Sequence, residues 1–151
     1  MAQYLGDKDD QLISGEDHET TLTVQDALPD SVKVLGLYFS MHNCPPCREF
    51  TPILAELYNE VNESDKVFEV VFFSCDQTPE QYKEYFGEMP WLALPHADKR
   101  VRATAKTFKV KGVPRLVIVN ARTGEVMNDS AVETVTQQGP VILDQWLESV
   151  Q

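Results

Sequence analysis

His42-Asn43-Cys44-Pro45-Pro46-Cys47-Arg48-Glu49-Phe50 sets two cysteines two residues apart at the junction of two differently patterned segments. Upstream, Val32 to Phe39 is almost continuously apolar, the pattern of a strand buried on both faces. Downstream, Phe50, Ile53, Leu54, Leu57, Tyr58 and Val61 step by three and four, which aligns them on one face of a helix. The cysteines therefore sit where a strand ends and a helix begins. A helix N-terminus offers N–H groups without intrahelical partners and about half a positive charge, so it favours a thiolate over a thiol. Lowering a cysteine pKa from about 8.5 to about 7 raises the thiolate at neutral pH from a few per cent to about half. Prolines suit the first helical turn, where the N–H groups have no intrahelical bond to lose. The chemistry expected is thiol–disulfide exchange.

The 151 residues suit one domain spanning 1–151, with a sizeable core and a polar, acidic, loose stretch at 1–11. The formal net charge of −11 argues against nucleic acid, whose phosphates need clustered Lys and Arg. It argues equally against anionic membrane surfaces. The amino end, MAQYLGDKDDQLISG, lacks the basic start and apolar stretch of a signal peptide. No window approaches the roughly 18 apolar residues of a membrane span. Three cysteines are an odd count, too few for a disulfide scaffold. A reducing compartment is expected, the cytoplasm with the nucleus also open, and there a close cysteine pair is catalytic or metal-binding. A structural zinc takes four ligands. The donors left over are Cys75, His18, His42 and His96, with no second paired motif, so no metal site is expected.

Along the chain, Leu12-Ile13 reads as a short strand, and Thr23 as the cap of a brief helix over 24–28. The helix after the cysteines spans about 45–62, interrupted by Pro52. Val67 to Ser74 is β-branched and aromatic, a second buried strand. Thr78-Pro79-Glu80 opens a helix to about Phe86, and Asp98 begins another with Val101, Ala105 and Phe108 on one face. Arg115 to Asn120 reads as a third strand, a turn at 121–124 leads to a short fourth at 125–127, and Gly139-Pro140 starts a last helix. Alternating strands and helices imply parallel pairing in the first half, and the tight turn implies an antiparallel pair in the second. The economical solution is an α/β architecture, a central mixed sheet with helices on both faces.

Leu37-Tyr38-Phe39-Ser40 leading into Cys44-Pro45-Pro46-Cys47-Arg48 and then Phe50-Thr51-Pro52 resembles the tryparedoxin and nucleoredoxin branch of the thioredoxin superfamily. Met89-Pro90-Trp91-Leu92-Ala93-Leu94-Pro95 is similar to that branch's M-P-W-L-A segment. Phe108-Lys109-Val110-Lys111-Gly112-Val113-Pro114 resembles the superfamily loop that ends in a cis-proline opposite the cysteines. The resemblance covers about residues 30–150.

It implies a thioredoxin fold and a protein-disulfide reductase in which Cys44 attacks and Cys47 resolves the mixed disulfide. It implies a cis bond before Pro114, with the Val113 backbone free to pair with an extended substrate, and substrate contacts from Asn43, Pro45 and Trp91. No dissociable cofactor is implied: electrons come from an external reductase or a low-molecular-weight thiol such as glutathione or trypanothione. The partners implied are disulfide-containing proteins, among them signalling and transcription-factor proteins under redox control. Where the family usually places tryptophan before the first cysteine this chain has Asn43, which keeps a second reading open, a redox-sensitive binding module with little turnover. Tyr38 stands where many thioredoxins bury an aspartate, so Tyr38, His42 and Asp76 are the candidates for proton transfer or tuning. Arg115 adds charge beside the cleft. Cys75 and Trp146 read as packing residues.

Overall fold

The computed structural model describes residues 2–150, with side chains from Tyr4 onward. Seven strands form one sheet: β1 (Gln11–Ile13), β2 (Thr21–Thr23), β3 (Val34–Ser40), β4 (Phe68–Ser74), β5 (Leu92–Ala93), β6 (Arg115–Asn120) and β7 (Val126–Asn128). Their spatial order is β2-β1-β5-β4-β3-β6-β7. β3 and β4 pair in parallel along their full length, from Val34 opposite Phe68 to Ser40 opposite Ser74. β6 runs antiparallel to β3, with Tyr38 opposite Leu116, and β7 returns antiparallel on β6. β3 and β4, at the centre, are buried on both faces along their full length, and they lie within two residues of the apolar runs that announce them.

Helices cover both faces of this mixed sheet. The period of two in a strand divides the core. Val34, Tyr38, Phe68, Val70, Phe72, Leu116 and Ile118 point to one side. There they meet α3 (Pro45–Val61), α4 (Pro79–Phe86), α6 (Ala131–Gln138) and α7 (Val141–Ser149). Leu35, Leu37, Phe39, Val71, Phe73, Val117 and Val119 point to the other, against α1 (Ala2–Leu5), α2 (Val24–Ala27) and α5 (Lys99–Thr107). Gly36 lies on the first side, where an added Cβ would stand 3.2 Å from the Leu116 Cδ1, so the strand leaves room there for its neighbour. Thr78 caps α4 as its sequence announces, its hydroxyl accepting the Gln81 N–H, with Pro79 in the first turn. α3 continues through Pro52 rather than stopping there.

Four features differ from the sequence expectations, the first being the strand β2, which has no expected counterpart. Residues 4–11 are not loose; Met1 of the stretch 1–11 lies outside the described residues. Leu5 is wholly buried and Tyr4 nearly so, the Tyr4 hydroxyl donates to the Gly124 carbonyl at 3.0 Å, and Arg100 donates to the carbonyls of Leu5 and Gln11 at 2.6 and 2.7 Å. Two apolar side chains, one guanidinium and backbone bonds from Val24 and Gln25 to the Asp10 and Lys8 carbonyls hold an otherwise polar segment. α6 forms over Ala131–Gln138, where a weak pattern gives little warning; Ala131 and Val135 are its buried positions, and Gly139, at φ 63°, allows the turn into α7. β5 is two residues long, too short to register as an alternating strand.

Candidate active site

Cys44 is the N-cap of α3 in extended conformation (φ −136°, ψ 106°), and its sulfur accepts the Cys47 N–H at 3.4 Å. The helix N-terminus therefore faces this sulfur. On its other side the Cys44 thiol donates to the Val113 carbonyl at 3.6 Å. The Val113–Pro114 bond is cis, as the resemblance implies. Cys44 is partly exposed, whereas Cys47, one turn on, is buried. Both cysteines are thiols. Burial pushes the Cys47 thiol up to about 12, and the adjacent Cys44 adds to that, while the Ser40 hydroxyl and the Met41 amide oppose it. Iodoacetamide is therefore expected to label Cys44 more than about tenfold faster than Cys47 near neutral pH, because Cys47 is held protonated and shut from solvent. Mass-spectrometric site assignment checks this, and equal or reversed rates would reverse the two roles.

Beneath Cys47 lies a cluster of hydroxyls from three elements. Tyr38 on β3 meets the Thr51 Oγ1 at 2.6 Å, Thr51 on α3 meets the Tyr85 hydroxyl at 2.6 Å, and Tyr85 on α4 meets the Ser40 Oγ at 2.7 Å. Thr51 also donates to the Cys47 carbonyl at 2.9 Å. Burial raises the Tyr38 and Tyr85 phenols above their ordinary range, so both stand as neutral hydroxyls. Ser40, Thr51 and Tyr85 escape a reading of the sequence; the one available signal is that Ser40 is a lone polar residue ending an apolar run.

The other expected site residues divide. Asn43 and Pro45 are exposed at the mouth of the site, and Pro114 is half-buried there. Asp76 accepts the His42 N–H at 2.6 Å and the Ser74 hydroxyl at 2.8 Å, so it ties the segment before Cys44 to the end of β4. His42 packs edge-on against Tyr85, 5.9 Å between ring centres, with its ring nitrogens near the Asn43 Oδ1 and the Glu84 carboxylate rather than a sulfur. Trp91 requires correction: it is 1% exposed, packed edge-on against Tyr38 and Tyr58, and cannot touch substrate. The Arg115 Nε turns back onto the Asp129 carbonyl at 2.6 Å. Cys75 is half-buried against the second face of the core, its thiol pushed up to about 11 by burial and by the Asp76 charge. Among the described residues, no three His, Cys, Asp or Glu side chains converge in a way that could hold a metal, and no helix is long and apolar enough to cross a membrane.

Comparison with known proteins agrees with this geometry. The family model described as thioredoxin-like matches residues 31–126. The chain is 46% identical to the tryparedoxin of Trypanosoma brucei brucei over 100 residues, covering 66% of this chain and 69% of that one. It is 45% identical to the probable nucleoredoxin 1 of Arabidopsis thaliana over 107 residues, covering 71% of this chain and 18% of that protein. The chain thus spans about a fifth of the length of the nucleoredoxins it matches. The solved structure of the tryparedoxin from Trypanosoma brucei superposes with a TM-score of 0.81 at 36% identity, over 96% of each chain. The mixed sheet, the cysteines at the start of α3 and these similarities agree that the chain has the thioredoxin fold and belongs to the thioredoxin-like family of oxidoreductases.

Proposed function

We propose that this chain reduces protein disulfides through a dithiol/disulfide cycle of Cys44 and Cys47. The observation that carries the proposal is the asymmetry of the pair: a partly exposed sulfur at the helix N-cap, backed by a buried thiol one turn on. The Cys44 thiolate attacks one sulfur of a substrate disulfide. A Cys44–substrate bond forms, the substrate S–S bond breaks, and the departing sulfur takes up a proton. Cys47 then attacks Cys44, the intramolecular disulfide forms, and the second substrate sulfur leaves with the proton that Cys47 gives up. Two electrons pass to the substrate. An external dithiol, supplied by a reductase or a low-molecular-weight thiol, returns them, so the redox-active disulfide needs no dissociable cofactor.

The resolving step asks a buried thiol to lose its proton, and the hydroxyl cluster eases it. The Tyr85 hydroxyl meets the Ser40 Oγ at 2.7 Å and the Cys47 carbonyl at 3.4 Å, and the Ser40 side chain opposes the burial that pushes the Cys47 thiol up. Tyr85→Phe is expected to slow resolution by up to about tenfold while leaving the first attack on substrate within about twofold, because it removes the partner of the Ser40 hydroxyl and a neutral hydrogen bond is worth about 0.5–1.5 kcal/mol. Rapid-quench trapping of the mixed disulfide separates the two steps, and equal slowing of both would mean that Tyr85 acts through the fold alone.

We place this activity in a reducing compartment, cytoplasm or nucleus, on protein substrates that include redox-controlled signalling proteins; the cysteine count supports the first part and the nucleoredoxin similarity the second. Reduction of insulin with dithiothreitol as electron source tests the reading, with the enzyme-free mixture as blank. Turnover well above the blank supports the reductase. A rate equal to the blank, with a partner still bound after both cysteines are replaced, supports the binding module that the exposed Asn43 keeps open.

A further inference from the structure

Beside the cysteines the surface opens into a groove of about 460 Å³. It is lined by Pro46, Phe50 and Ile53 of α3, by Val132 of α6, and by Pro114 and Leu116. Past Ile53 it continues into a hollow of about 200 Å³ lined by Leu57, Val135 and Pro140. Ile53 is 41% exposed although the helical pattern assigns it to the apolar face, so the groove carries an apolar side chain that the fold leaves uncovered.

The rim is charged with one sign. Glu49, Glu56 and Glu60 follow one edge of α3, and Glu133 stands across from them on α6. All four are exposed, and among the described residues none has a Lys, Arg or His partner within 4.0 Å. The one cation lining the groove, Arg115, has its Nε on the Asp129 carbonyl. Four carboxylates without counter-charges around an apolar floor are complementary to a chain segment that carries an apolar residue flanked by lysine or arginine. The groove also meets the site where the reacting disulfide must sit, because Pro46 and Pro114 belong to both.

Resting on the reductase reading above, we infer that the groove selects its substrates: it receives the segment beside the scissile disulfide, and it favours proteins in which that segment is basic and apolar. An apolar side chain enters between Phe50, Ile53 and Val132, and its basic neighbours face Glu49 and Glu133, with Glu56 and Glu60 serving a longer basic run. Glutamates at the rim raise the rate of encounter with a basic segment and repel an acidic one, and they lose this influence as salt screens them. Exposed pairs contribute little singly, so two or more together are expected to separate basic from acidic substrates by about tenfold.

The test uses two peptide disulfides alike in length and in their apolar residue, one flanked by lysines and the other by glutamates. Each rate is divided by the same protein's rate on hydroxyethyl disulfide, which is uncharged and too small to fill the groove. At low ionic strength the lysine peptide is expected to be reduced about tenfold faster, with the gap narrowing to about twofold at high salt. In the double variant Glu49→Lys, Glu133→Lys the preference is expected to vanish or reverse. Equal rates on the two peptides, or a preference unchanged in the double variant, would overturn the inference while reduction of hydroxyethyl disulfide leaves the reductase reading standing. Failure to reduce hydroxyethyl disulfide would remove both.

Discussion

Cys44→Ser is expected to return insulin reduction to the uncatalysed dithiothreitol rate, whereas Cys47→Ser is expected to accumulate a covalent adduct with substrate. Removing a covalent nucleophile commonly lowers rates by 10³-fold or more, by the order of magnitude seen when such groups are deleted. The two variants fail for different reasons. Without Cys44, no sulfur stands both at the helix N-cap and in contact with solvent, because Cys47 is wholly buried and its thiol is held protonated. Without Cys47 the first bond still forms, but nothing behind it releases the substrate. Non-reducing electrophoresis and intact-mass measurement distinguish the outcomes: a stoichiometric mixed disulfide in Cys47→Ser and none in Cys44→Ser. A mixed disulfide through Cys47 in the Cys44→Ser protein would invert the order of attack.

Phe72→Ala is expected to destabilise the fold by about 3–5 kcal/mol, the range for truncating a buried aromatic. Phe72, on β4, is wholly buried with four aromatic neighbours: Tyr82 stacked at 6.0 Å, Tyr85 edge-on at 5.5 Å, Phe86 at 6.3 Å and Tyr38 at 6.4 Å. Tyr38 of the neighbouring β3, directly opposite in register, and three rings of α4 press on this one ring, so little of the resulting hole can close. At roughly 2–4 °C per kcal/mol for a chain of this size, the midpoint should fall by about 10 °C in a thermal melt. The effect should reach the site as well, since Tyr85 rests on Phe72 and presents its hydroxyl to Ser40. A loss below about 1 kcal/mol would mean that the aromatic cluster repacks freely.

Local pattern accounts for a large part of this architecture. Val32–Phe39 and Val67–Ser74 are mostly apolar because they lie at the centre of a sheet covered on both faces, and the buried carboxylate among them, Glu69, is held by the Tyr58 hydroxyl. Arg115–Asn120 reads as a strand and is one, between the same two residues. Thr78 and Asp98 announce helices because capping is settled within three residues of chain. Elements that rest on distant contacts carry no such mark. Tyr4 and Leu5 lie in a polar segment and become core when α5 and the turn at Gly124 close over them. Trp91, a substrate contact by the resemblance, is core instead, because the neighbours that bury it, Tyr38 and Tyr58, come from β3 and α3.

The same division runs through the site. The spacing of Cys44 and Cys47, their place between a buried strand and an amphipathic helix, and the prolines in the first turn are properties of adjacent residues, and they were enough to name the chemistry. The resemblance added the fold and the partner loop at Pro114. Which sulfur is open and which is shut away, the hydroxyls drawn from β3, α3 and α4 beneath Cys47, and the carboxylates of α3 and α6 facing one another across an apolar groove were decided by tertiary structure. Reactivity of a thiol depends on burial and on neighbours a few ångströms away. Here those neighbours come from residues as far along the chain as Tyr85 and Val113, so the folded arrangement, and no local pattern, sets them.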